Sequence, residues 1–176
     1  MTATAFALGS VGAGTAAGAA CGALGSLLPG DSSWRALAVI AVLATALLFD
    51  ATPLRGRLPS SRRQVDEEWL ARYRGWVYGV AFGAQLGLGV VTIVTSAAIY
   101  ATAAVAVLCA SPLTGALIGA TFGAVRAASL LPARAAREPA RLLALHRRLG
   151  QLEPVSRGAV AVLELGLLGG VIWALA

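Results

Sequence analysis

The stretch Trp76–Ala110, WVYGVAFGAQLGLGVVTIVTSAAIYATAAVAVLCA, contains no charged residue. As one straight helix it would run about 52 Å, against a hydrocarbon core of about 30 Å. Near its middle, Val91-Thr92-Ile93-Val94-Thr95-Ser96 gathers β-branched and hydroxyl side chains. These lose rotamer freedom in a helix or compete with its backbone hydrogen bonds, so helix propensity falls there. The chain therefore crosses the membrane twice over this stretch, or once as a discontinuous helix, and the arginines decide between the two. Six of them lie between Arg134 and Arg157. Two crossings would leave that segment outside, against the excess of basic residues in cytoplasmic loops. One net crossing with a break at Thr92–Ser96 puts it inside, next to the first arginine-rich loop.

The rest of the chain agrees with a membrane setting. Of 176 residues, 58% are hydrophobic and 12% charged, and the mean hydropathy is +0.78; soluble domains carry about a quarter charged residues. The formal charge is +6, but the arginines lie between apolar runs, with no aromatic platform or phosphate loop, which excludes a nucleic-acid partner. All 14 basic residues are Arg, and Ala and Gly are abundant, a composition of high-GC bacteria and hence of a bacterial inner membrane. Working outward from the long stretch, crossings are expected at 4–28, 34–51, 76–110, 113–131 and 158–176, with cytoplasmic segments at 52–75 and 132–157. The expected fold is an all-α, polytopic transmembrane helical bundle of about five crossings in one domain, with a discontinuous third helix. Its N-terminus is cytoplasmic and its C-terminus outside. Thr4–Leu28 lacks the basic start of a cleaved signal peptide and reads as a retained helix. Ser33 is a candidate cap for the second crossing. Residues 61–74 and 133–152 have the spacing of surface helices, the latter with arginines on one face, leucines on the other and an interruption near Pro139.

Within the apolar runs, glycines recur at every fourth residue: Gly14, Gly18, Gly22; Gly79, Gly83, Gly87; Gly115, Gly119, Gly123; Gly166, Gly170. Such stripes let helix backbones approach closely in lipid, and serve either the interior of a bundle or a seam with a second copy or a membrane partner. Arg126 and Glu164 fall at matching depth on successive crossings and are expected to form an ion pair. A charge at mid-membrane costs at least about 2.5 kcal/mol, which is why these two need an account. Gln85, Thr92, Thr95 and Ser96 mark the substrate path at the broken helix. Cys21 and Cys109 lie in the same half of the membrane, so a redox pair is one use for them and packing the other. No CxxC, metal-ligand spacing or Ser/His/Asp constellation occurs, and the single His146 sits among arginines. Neither an enzyme, a cofactor nor a metal is expected.

The residues Phe82–Pro132, from FGAQLGLGVVTIVTSAAIY to SPLTGALIGATFGAVRAASLLP, resemble the second half of the CcdA/DsbD-type membrane thiol-electron carriers of the LysE-like superfamily. The resemblance implies a Gly-rich broken helix, a short turn, a small-residue helix and a final crossing. That family carries a Pro-Cys dipeptide at each break, and Val91–Ser96 has neither residue, so its thiol chemistry is carried over to no position here. The expected function is a small carrier-like transporter of a small solute through the broken-helix site. The alternatives are an accessory subunit that docks a larger partner, and a thiol-electron relay.

Overall fold

A computed structural model describes residues 2–54, 58–59, 74–89, 96–129 and 139–175. Among them every regular element is a helix. α1 is Thr2–Ser26, α2 Ser32–Ala51, α3 Gly75–Leu88, α4 Ala98–Leu108, α5 Pro112–Ala128, α6 Pro139–Gln151 and α7 Glu153–Leu175. The expected surface helix over 61–74, Thr92 and Thr95 lie outside the described residues, apart from Arg74 at the start of α3.

The helix ends follow local chemistry. α1 ends at the Leu27–Asp31 turn, where Gly30 takes φ 130°, and Arg35 reaches back to donate to the Leu28 carbonyl at 2.9 Å. Asp31, not Ser33, caps α2, accepting from the Trp34 amide at 3.2 Å. Asp31 is the residue immediately before the first helical position, so its carboxylate reaches the N3 amide. Ser111 caps α5 in the same way, with Pro112 at its first position, where a missing N–H costs nothing.

α1 is the axis of the bundle, packed most extensively against α5 and α3. Along α5 the partners run antiparallel: Gly14 meets Gly119, Gly18 meets Gly115, and Gly22 meets Ser111. Along α3 they run parallel: Phe6 meets Gly83 and Ser10 meets Gly87. A Cβ added at any of these glycines would collide with a backbone carbonyl, so the seams exist only because these positions bear hydrogen. At their meeting point Ser10 is fully buried and its hydroxyl donates to the Gly123 carbonyl at 2.9 Å, satisfying a polar group that water cannot reach.

α3 covers only the first half of α1. It stops at Gly89, whose φ of 71° ends the helix in the left-handed region. α4 then lies along the second half, with Val107 against Gly25. The two short helices are thus stacked end to end beside α1. α2 packs on α4 and on α7, with Ala46, Ala97 and Ala101 buried together under Val42, Phe49 and Leu58.

Three helices, α1, α2 and α7, are long and apolar enough to cross a membrane. α3, α4 and α5 are shorter, at 14, 11 and 17 residues. At 1.5 Å per residue each falls below a 30 Å core by itself. Large apolar side chains point outward all over the bundle, including Leu8 at 73% exposure and Trp173 at 83%, as a hydrocarbon solvent permits.

Candidate functional site

The sequence property that builds the site is the interruption between α3 and α4. A helix that starts in the interior presents unpaired backbone amides, and here they find a carboxylate from another element. Asp50, next to last in α2, accepts from the Ala97 amide at 2.8 Å, from the Ala98 amide at 3.4 Å and from the Ser96 hydroxyl at 2.5 Å. Ser96 itself accepts from the Ala98 amide at 3.1 Å. The start of α4 is therefore capped twice, once by its own chain and once across the bundle. A negative group at a helix N-terminus also meets the positive end of the helix dipole.

Glu164 approaches this cap from α7. α7 shows the reverse of a soluble helix: Val162, Leu163, Leu165 and Leu167 are exposed, and its one buried residue is Glu164, at 4% exposure. Asp50 is its charged neighbour. Among the described residues no amide, hydroxyl or cation donates to either carboxylate oxygen of Glu164, and the polar group within its side-chain reach is the Asp50 carboxyl. A buried carboxylate in this condition is costly as an anion and becomes tolerable on taking up a proton or a cation.

Two openings flank the pair. On the Glu164 side lies a cavity of about 630 Å³ walled by α2, α4, α5 and α7, to which Val39, Leu43, Val105, Leu117 and Val171 contribute. On the Asp50 side a groove of about 520 Å³ is lined by Pro53, Pro154, Arg157 and Ala161. There Arg157 lies 3.8 Å from Glu153, one turn away on the same helix. A third cavity, about 270 Å³, lies on the α1 side of the break, between Gly18, Gly89, Ile99 and Phe122.

Of the residues expected at the path, Ser96 is at the break and in the Asp50 network, whereas Gln85 is half-buried on α3 and lines neither cavity beside the break. Arg126 and Glu164 do not form a hydrogen-bonded pair. The Arg126 guanidinium lies over the Phe122 ring, 5.3 Å from its centroid, which its own helix supplies one turn away. Equal depth placed the two residues at one level but said nothing about which way each helix turns its side chain. Cys21 and Cys109 are free thiols, Cys21 half-buried in the wall of the smallest cavity and Cys109 exposed just past α4. The sequence reasoning passed over Asp50 and Ser10. Both had a signal: Asp50 sits at the end of an apolar run, and Ser10 continues the Gly14, Gly18, Gly22 register by one step.

Comparison with family models, with curated proteins and with solved structures returned no match.

Proposed function

We propose that the chain is a multi-pass carrier whose α3 and α4 form one discontinuous crossing, with the site for its cargo at the break, between Asp50, Ser96 and Glu164. The observation that carries this reading is the burial of Glu164 alone on a helix whose apolar residues face outward. Ionisable groups at membrane depth are expensive, and they persist where they serve a pathway. Irregular backbone at that depth needs protein or a polar cavity around it, and stacked half-helices with satisfied ends are a recurring framework of secondary transporters. In this reading α5 completes a five-crossing bundle in a bacterial inner membrane, with the arginine-bearing segments 52–75 and 132–157 cytoplasmic and Ser111 outside. α6, whose Leu143 and Leu149 are exposed, lies along the inner headgroups.

A carrier opens its site to each side in turn, and this can be tested without knowing the cargo. Thr121 lines the larger cavity. With Cys21→Ala and Cys109→Ala as background, Thr121→Cys should react with an impermeant maleimide in right-side-out and in inverted vesicles. Reaction from one side only, or from neither, overturns the reading.

A second reading has its own support. Gly166, Gly169 and Gly170 of α7 face open space, whereas Gly14, Gly18 and Gly22 of α1, Gly83 and Gly87 of α3 and Gly115, Gly119 and Gly123 of α5 are consumed inside the bundle. On this reading the docking seam for a second copy or a partner subunit lies on α7. Gly166→Leu should then abolish a cross-linked species while leaving the maleimide pattern unchanged.

A further inference from the structure

We propose that the cavity beside Glu164 is a receptor for a monovalent lipophilic organic cation, a phosphonium or a hydrophobic ammonium in chemistry. This rests on the carrier reading and names its substrate class. At about 630 Å³ the cavity falls within the size range of small-molecule sites. Among the described residues Glu164 is the only charged one in its wall; the remainder is aliphatic apart from Phe122 and the hydroxyls of Thr102 and Thr121. Both hydroxyls already donate to carbonyls of their own helices, Ala98 and Leu117, at 2.7 and 2.9 Å.

The other charges nearby are committed or lie elsewhere. The Asp50 carboxylate is engaged by Ser96 and the α4 amides, Arg157 borders the groove on the Asp50 side, and Arg126 is outside the cavity wall, over Phe122. What remains is the Glu164 carboxylate, nine-tenths buried, beside Asp50 and with no amide, hydroxyl or cation donating to it among the described residues, at the wall of an apolar cleft. An anion would be repelled by Glu164 and Asp50. A hard metal ion asks for six or more oxygen ligands, and aliphatic walls offer none. Among the described residues no group of three metal-ligating side chains exists. A cation that carries its own apolar shell satisfies both halves of the site: its charge neutralises Glu164 and its hydrocarbon fills the chamber.

The test uses the full chain in phosphatidylcholine nanodiscs. Equilibrium binding of tetraphenylphosphonium is compared with that of neutral triphenylphosphine oxide. The cation should bind about 30-fold or more tightly, as expected for a buried charge that gains its counter-charge. Glu164→Gln should erase this preference and Glu164→Asp should keep most of it. Leu167→Trp, which fills the chamber and leaves the carboxylate in place, should weaken cation binding and decides the matter should the Gln variant fail to fold. Equal binding of the charged and neutral probes would mean a lipid-filled groove and overturn the proposal, as would a preference that survives Glu164→Gln or binding unchanged by Leu167→Trp. Cation binding in a protein whose Thr121→Cys reacts from one side only would uphold the receptor and overturn the carrier. Reaction from both sides without cation binding would do the reverse.

Discussion

The two halves of the bundle solve opposite problems. Where α1 meets α3 and α5, backbones touch through glycine, and the buried hydroxyl of Ser10 has its partner in the Gly123 carbonyl. Where α2, α4, α5 and α7 surround Glu164, the helices leave an open cavity, and a buried carboxylate faces a second carboxylate with no amide, hydroxyl or cation donating to it among the described residues. In lipid, association is driven by close packing and polar satisfaction rather than by burial of apolar surface. The first half has both and holds the bundle together. The second half forgoes both around Glu164, and a protein keeps such a defect where binding or transport requires it.

This contrast predicts that the same kind of change will act differently in the two halves. The largest effect is expected on the tight side. Gly18→Leu drives a side chain into the Gly115 carbonyl and should cost about 3 kcal/mol, at the top of the usual range for overpacking. Gly166→Leu, on the open face of α7, should cost less than about 1 kcal/mol. Thermal unfolding of the two variants in the same detergent measures the difference, and equal losses would erase the distinction between the halves.

Next comes the cap that links α2 to the break. Asp50→Ala removes the acceptor of two amides and the Ser96 hydroxyl, and should cost about 2 kcal/mol. Hydrogen exchange at Ala97 and Ala98 should rise with it, while Asp50→Asn, which keeps a carbonyl acceptor, should lie between that variant and the parent. An unchanged exchange rate would remove Asp50 from the site.

Ser10→Ala should lose about 1 kcal/mol, the net worth of one buried hydrogen bond to the Gly123 carbonyl. A neutral result would show that the seam holds by packing alone.

The smallest effect is the most diagnostic. Glu164→Gln removes a buried charge that faces the Asp50 carboxylate and that no cation or amide stabilises, so the variant should be at least as stable as the parent. The ion pair expected from sequence would instead make this variant lose roughly 3 to 5 kcal/mol. A loss of that size would give Glu164 a partner and close the contrast between the halves.

Much of the framework was legible in one dimension. Helical class, the membrane-length apolar runs of α1, α2 and α7, the glycine registers and a break in the long apolar stretch are local properties, set by hydropathy, backbone freedom and side-chain branching within a few residues, although the break was expected at Thr92–Ser96 and α3 already stops at Gly89. They need no knowledge of what lies alongside. Which stripe meets which, and which charge meets which, depends on how each helix is rotated about its axis. That angle is fixed only when all the helices pack together. In the arrangement found, Glu164 faces Asp50 and Arg126 lies over Phe122. Sequence put Glu164 within a long apolar run; only the tertiary structure set it beside the cap of α4, because Asp50 and Ser96 come together through the packing of α2 on a helix that begins in mid-bundle.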